Sequence, residues 1–274
     1  MRALALALLL TAPALPASAQ YAEGGARILG LGRAGVALTS AWGHTNPAAR
    51  ASLIERRASL QASQAFGLSE LGLGALAAAA PTGLGVFAVE ARSYGFSERR
   101  ETRVRGGFAR QVALSPTRRL DVGVAIGVES ASTEGFGSET AILLDVGVQG
   151  RVLPGLRAGL AGRNLLGLGR SDVNDLRLPA STVPGVTVGI AYTPSERATL
   201  VVDADQDLDF GLSVRAGAEV RPVDVLALRA GVSTQPARFT AGVGVRGGPL
   251  RADFAVERHE TLGLTPAFGV EIAF

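Results

Sequence analysis

The residues that could do chemistry are few and poorly placed for it. Asp203, Asp205, Asp207 and Asp209 alternate along the chain, a spacing that sets four carboxylates on one face of an extended strand. Grouped acids are calcium chemistry, yet an EF-hand loop counted from Asp203 needs Gly at its sixth position and Glu at its twelfth, where this chain has Leu208 and Val214. The four acids are therefore read as a solvated tip of an external hairpin, with a cation site as the alternative. The histidines are His44 and His259, too few and too far apart in sequence to suggest one metal site or a triad. No G-x-S-x-G elbow is present. Gly30-Leu31-Gly32-Arg33-Ala34-Gly35 matches the dinucleotide fingerprint G-x-G-x-x-G, but no strand precedes it and no crossover helices follow, so it lacks the parallel unit that would give it that meaning. No catalytic residue, metal or cofactor is assigned, and an enzyme is not expected.

The elements around these residues are strands. Toward the C-terminus Phe268, Val270, Ile272 and Phe274 alternate with Ala267, Gly269, Glu271 and Ala273, which is the period of two of a β-strand with one greasy face. Of the chain, 47% is hydrophobic and mean hydropathy is +0.27, yet no segment after the N-terminus is an unbroken apolar run of about 18 residues. Apolar content spread over every second residue is the pattern of a transmembrane barrel, whose outer wall meets lipid. Residues 1–19, with Arg2, an apolar run from Ala3 to Leu10 and Ala17-Ser18-Ala19, read as a signal peptide cleaved near Ala19. Cysteine is absent, so neither disulfides nor thiolate sites contribute. All basic residues are arginine and they are scattered, with a net charge of only +3, which does not suggest a nucleic-acid partner.

Proline counts the hairpins. Pro81, Pro116, Pro154, Pro194, Pro222 and Pro249 each fall in a short connection, where a residue without an N–H and with a preset φ belongs. Two strands fit between successive prolines. The opposite connections, from Ser93 to Arg103, Ser130 to Ser138, Leu166 to Val183, Asp205 to Asp209, Thr234 to Arg238 and Arg258 to Thr265, read as longer and more polar. The expected fold is all-β: a 14-stranded antiparallel transmembrane β-barrel over residues 57–274, preceded by an N-terminal hatch segment over residues 20–56. Alternation is poor from Leu71 to Ala80 and from Arg103 to Leu114, where a bulge or an error of register is expected. The lumen face carries Glu90, Arg92, Asp121, Glu129 and Asp145 in the first half of the barrel, and Arg215, Glu219, Arg229, Arg246, Arg251, Asp253, Glu257 and Glu271 in the second. These charges are expected to form a structural ion-pair network, since Arg facing the lipid midplane costs ~2–4 kcal/mol.

The hatch residues singled out are Gly30, Gly32, Gly35, Trp42, Asn46 and Pro47: glycines for tight backbone inside a lumen, and Asn-Pro for a turn before the first strand. The run Ala26 to Leu38, followed by Trp42 and Asn46-Pro47-Ala48-Ala49, resembles the N-terminal region of FadL-like outer-membrane barrels, closest to the PorV/PorQ branch. Gly162-Arg163-Asn164-Leu165 and the hairpin from Gly189 to Pro194 resemble the same branch. The resemblance implies a fourteen-stranded barrel with a lumenal hatch in a bacterial outer membrane. It implies passive transport of hydrophobic small molecules or, as the alternative, a non-transporting scaffold of secretion or envelope assembly. The implied partners are outer-membrane lipids, the barrel-assembly machinery acting on the strand that ends at Phe274, and a hydrophobic ligand or a secreted protein. The chain is shorter than the well-studied members of that superfamily, which leaves little room for long external loops.

Overall fold

The computed structural model describes residues 24–116, 118–166, 168–171, 183–208 and 211–274. Residues 1–19 and Asp209 lie outside the described residues. The strands are β1 (Arg57–Gln64), β2 (Gly72–Pro81), β3 (Val86–Gly95), β4 (Arg99–Ala113), β5 (Arg119–Thr133), β6 (Gly137–Leu153), β7 (Leu156–Arg163), β8 (Leu168–Ser171), β9 (Gly185–Ser195), β10 (Ala198–Asp207), β11 (Gly211–Val223), β12 (Leu226–Thr234), β13 (Ala237–Gly247), β14 (Leu250–His259) and β15 (Gly263–Ala273). All pairings are antiparallel, and β1 pairs with β15 to close the ring. Both β7 and β8 pair with β6, at successive heights, so fifteen segments occupy fourteen positions around a closed barrel.

The alternation read from sequence decides which side chains meet which solvent. Along β5, Val124, Ile126 and Val128 point outward and are exposed, while Asp121, Ala125 and Glu129 are buried inside. Leu60, Leu76, Leu160, Val188, Leu212 and Phe254 likewise face out on other strands. A soluble protein does not expose apolar side chains all round its wall; a barrel in hydrocarbon does, because its backbone polar groups are all paired in the closed ladder. Among the described residues no helix is long and apolar enough to cross a membrane.

Three local expectations need correction. The ladders of β2 and β4 run without register shifts. Their alternation is obscured because Leu73, Ala77 and Ala79 of β2 are apolar yet point inward against the hatch, so hydrophobicity fails to report the face. The register shifts instead accompany Val152, Pro194 and Pro222, at the strand ends nearest the short turns. Pro194 and Pro222 are bulge residues rather than turn residues: lacking an N–H, proline is tolerated where the ladder is interrupted, and the reversals follow two residues later, at Glu196-Arg197 and Asp224-Val225. Finally, most opposite connections are short. β3 and β4 are joined by residues 96–98, β5 and β6 by 134–136, β12 and β13 by 235–236, and β14 and β15 by 260–262. Polar residues assigned to loops extend the ladder, so that β4 and β5 have 15 residues each and β6 has 17.

The lumen is filled by the chain that precedes β1. A six-residue helix α1 (Gly25–Gly30) lies against β12 to β15 and β1, and a 3-10 turn (Pro47–Arg50) lies against β4, β5 and β6. Between and around them Ile28, Leu29, Leu31, Ala34, Val36 and Ala48 are at most 2% exposed. The wall is recessed where this segment touches it. A Cβ on Gly231 would lie 2.2 Å from the Gly32 nitrogen, on Gly217 2.4 Å from the Leu31 oxygen, on Gly123 2.4 Å from the Ala48 nitrogen and on Gly159 2.4 Å from the Val36 oxygen. Backbone therefore seats on backbone, and Gly32, at φ +67°, makes the reversal there.

Gly231→Val should keep the strand, since valine suits a ladder, but expel the hatch. Tryptic cleavage at Arg33 and Arg50 is expected to rise by roughly tenfold or more, the change that a loss of ~1.4 kcal/mol produces, with the barrel still folded by heat-modifiable gel mobility. Gly106→Val, facing outward with nothing within 4 Å, should leave the cleavage pattern unchanged.

Candidate functional site

The site is the contact between hatch and wall, together with a break in the wall beside it. Three hatch arginines, Arg27, Arg33 and Arg50, each meet a wall carboxylate. Arg27 donates from Nε and Nη2 to Glu219 of β11 at 3.0 and 3.1 Å, and Arg33 donates to Glu257 of β14 at 2.7 and 2.8 Å. Both are paired forks, the geometry in which Arg binds carboxylate best. Arg50 donates to Glu90 of β3, which also accepts from the Gly43 N–H at 2.7 Å and from Arg105 of β4. In the reverse sense, Asp203 Oδ2 accepts from the backbone N–H groups of Gly35 (2.6 Å) and Val36 (3.0 Å).

Asn46 is fully buried and organises the second half of the hatch. Its Oδ1 accepts from the Ala48 N–H at 2.9 Å, capping the turn that Pro47 opens, and its Nδ2 donates to the Val36 carbonyl at 2.7 Å. Trp42 and His44 are buried between this turn and β1 to β4. Gly30 ends α1 over Gly242, and Gly35 lies beneath the Ile28 side chain.

The wall charges fall into groups rather than one net. Glu90, Arg105 and Asp145 are linked, with Arg105 donating to Asp145 at 2.7 Å. Glu129 receives Arg92 (3.0 Å) and Arg103. Glu219 and Asp253 share Arg229 at 2.7 and 2.9 Å, and Arg251 reaches Asp253. Glu257 holds Arg33 and Arg238. Asp121 takes Arg157 at 2.7 Å, and Glu271 takes Arg57 at 2.9 Å. Arg246 differs: it is exposed at the rim, one strand end from the Gly248-Pro249 turn.

The aspartate series is also placed differently from the expectation. Asp203, Asp205 and Asp207 belong to β10, point inward and are buried, because the strand runs on through what reads as a polar tip. Asp205 is matched by Arg163 (2.6 Å), Arg215 (2.5 Å) and Thr187, and Asp203 by the hatch amides. Both oxygens of Asp205 and Oδ2 of Asp203 are thus engaged by guanidinium, hydroxyl and N–H donors, while Asp203 Oδ1 is buried without a hydrogen bond. His259 lies on β14, with Nδ1 accepting from the Thr261 and Leu262 N–H groups, remote from His44.

The break in the wall lies between β7 and β8. Val146 of β6 pairs with Gly162, but Ile142 pairs with Leu168: four steps on β6 face six on the neighbouring strand, so two residues are extra. Asn164 takes a positive φ of 54°. Its N–H donates to Asp145 at 2.7 Å and its Nδ2 to the Val183 carbonyl at 3.1 Å. The β7–β9 ladder ends at Arg163 and Gly185, and among the described residues β8 has no partner strand on that side. Leu165 and Leu166 are exposed at the break.

No protein-family model matches this sequence, and no curated protein matches it. Solved structures do. The chain superposes on a structure described as the CymD monoaromatic hydrocarbon channel with a TM-score of 0.65 and 12% identity, covering 91% of this chain and 97% of that one. For the Ralstonia pickettii toluene transporter TbuX the values are 0.63 and 14%, over 92% and 98%. For a Pseudomonas aeruginosa FadL homologue they are 0.61 and 12%, over 91% and 98%. At these identities the likeness is one of fold, and the fold is that of FadL-type barrels.

Two predictions test the hatch contact. Glu90→Gln leaves Arg50 and Arg105 without their shared carboxylate, and breaking a buried pair costs ~3–5 kcal/mol; the fluorescence of Trp42, the one tryptophan, should report hatch release at a correspondingly lower urea concentration. Burial, and then the neighbouring Arg105, push the His44 imidazole well below its usual range. Above about pH 6.5 the seated and released hatch are both neutral at His44; below it only the released form takes up the proton, so docking weakens as pH falls. The pH 7 to 5 decline in docking stability should be shallower in His44→Gln than in the unaltered chain.

Proposed function

We propose that this chain is an outer-membrane barrel that passively admits small hydrophobic molecules, with the hatch closing the lumen and the β7–β8 break as the entry from the lipid side. The observation that carries this reading is the break itself. A two-residue insertion that interrupts the pairing along β6 is costly in a wall whose polar groups have no water to turn to, and here it is held in place by Asn164 and Asp145 and rimmed by exposed leucines. A cargo already dissolved in hydrocarbon needs an opening in the side of a barrel rather than at its top. The channel and transporter structures that share this fold point the same way.

One observation favours the scaffold reading of the PorV/PorQ kind: the lumen is occupied by a segment tied to its wall at Glu90, Glu219 and Glu257. Cellular uptake separates the two. In a Gram-negative host without its own hydrocarbon channel, the unaltered chain should raise the accumulation of labelled toluene severalfold over an empty vector. Removing Leu165 and Leu166 restores one-to-one pairing along β6 and should return uptake to background while the barrel stays heat-modifiable. Uptake that is absent from the start, or unchanged by the deletion, would sink the transport reading.

A further inference from the structure

Arg110 lies on the lipid side of the wall. Along β4, Glu101, Arg103, Arg105 and Ala109 are buried inside, and Arg110 alternates with them on the outward face that carries Val104 and Phe108. Its surroundings are apolar: Phe108 and Val112 on its own strand, and Val122 in register on β5. Among the described residues no carboxylate pairs with it. An outward arginine is tolerated near a membrane interface and not at the midplane. Arg100, on the same face, marks the other interface. The ten residues from Arg100 to Arg110, at ~3.4 Å each and a tilt of roughly 40°, span about 25 Å of depth, the height of the apolar band of such barrels.

The wall around Arg110 is shaped to receive something. The β3–β4 ladder stops at Val86 and Ala109, whereas the β4–β5 ladder continues to Ala113 and Arg119. The β4–β5 hairpin therefore projects past β3 and leaves a step in the outer surface. Arg118, exposed and also without an ion pair among the described residues, lies in the turn at its tip. On the membrane side of the step Phe87 and Phe108 stand in register, their ring centroids 4.9 Å apart, where aromatic rings border the headgroup level. The anion that an unpaired guanidinium can meet from the lipid side is a phosphate, which it binds as a fork. Short turns face the periplasm, so this step meets the leaflet built of glycerophospholipid. The exposed arginines of that rim, such as Arg56, Arg118, Arg197 and Arg246, outnumber the exposed acids Glu55, Glu196 and Asp224. At the opposite rim exposed Glu70, Glu98, Glu134 and Glu260 outnumber Arg99, Arg100 and Arg258. A headgroup with net negative charge is thereby favoured over one that carries its own ammonium.

We propose that the outward step at the β4–β5 hairpin binds an anionic glycerophospholipid of the periplasmic leaflet, its phosphate on Arg110 and Arg118 and an acyl chain along Phe87 and Phe108. The site rests on the membrane placement of the barrel and not on transport. Native mass spectrometry of the full chain, released from detergent in the presence of equal amounts of phosphatidylglycerol, phosphatidylethanolamine and lipid A, reads the retained lipid. Phosphatidylglycerol should be retained at least about fivefold over either competitor. Arg110→Gln should lower its retention about tenfold with heat-modifiable mobility unchanged, and Arg100→Gln, at the other interface, by less than about twofold. Should Arg110→Gln misfold, Arg118→Gln and the ranking on the unaltered chain decide. Equal retention of phosphatidylglycerol and phosphatidylethanolamine, a preference for lipid A, no retained lipid, or the same loss in Arg100→Gln as in Arg110→Gln each overturns the proposal. Absent toluene uptake would sink the transport reading and leave this site standing; uptake without a lipid preference would do the reverse.

Discussion

A charged group can remain inside this barrel only if another charge meets it there. The lumen encloses buried arginines and carboxylates, and an ion taken out of water carries a desolvation penalty of several kcal/mol that only close pairing offsets. The wall alone does not complete these pairings. Glu90, Glu219 and Glu257 each take one arginine from the preceding segment as well as at least one from the wall. Removing the hatch would leave these carboxylates short of a partner, so the charge pattern of the wall specifies a plug as firmly as shape does. Such pairs are poor evidence for gross stability but good devices for fixing one arrangement among many.

Shape acts with charge. The inward positions that carry no charge are mostly glycine and alanine, and Gly217, Gly231, Gly123 and Gly159 allow hatch backbone to lie directly on ladder backbone. Glycine weakens a strand by its entropy and its lack of packing. Its use at these inward positions follows from the absence of space for a Cβ. The outward positions of the same strands take Leu, Val and Ile as well as alanine, because lipid tails set no limit on size. One strand thus obeys two rules, small or charged inside and large and apolar outside.

The fold was legible because lipid imposes that division on nearly every strand, and because proline marks the short-turn end of each hairpin. Legibility failed where a neighbour other than lipid decided the residue type. In β2 the hatch makes inward Leu73 and Ala77 apolar, and the alternation disappears. In β4, Arg103 and Arg105 point inward to Glu129, Glu90 and Asp145, but the doubtful register of that strand hid them from a face assignment. The aspartates of β10 looked like a solvated tip because acidic runs usually are solvated; what could have corrected this is that Asp203 and Asp205 sit in register with Gly189 and Thr187 of β9, within the ladder. The partners Arg27, Arg33 and Arg50 were visible as residues but not as partners, since a segment without periodicity gives no means to place its side chains.

Hatch and wall break also share one set of groups. Gly43 and Arg50 bind Glu90; Glu90 binds Arg105; Arg105 binds Asp145 at 2.7 Å; and Asp145 accepts from the Asn164 N–H at the break, also at 2.7 Å. Each acceptor in this chain divides its oxygens between neighbours. Loss of the hatch contact at Glu90 would change the charge felt by Arg105, and with it the hold of Asp145 on the one residue whose positive φ keeps the ladder interrupted. A row of contacts does not by itself carry coupling; that requires an element with two arrangements which both ends bias. Asn164, at φ 54°, is where such an element would have to act, since the pairing along β6 changes register there. The structure therefore joins the hatch contact at Glu90 and the irregularity at Asn164 through one series of carboxylate–guanidinium contacts.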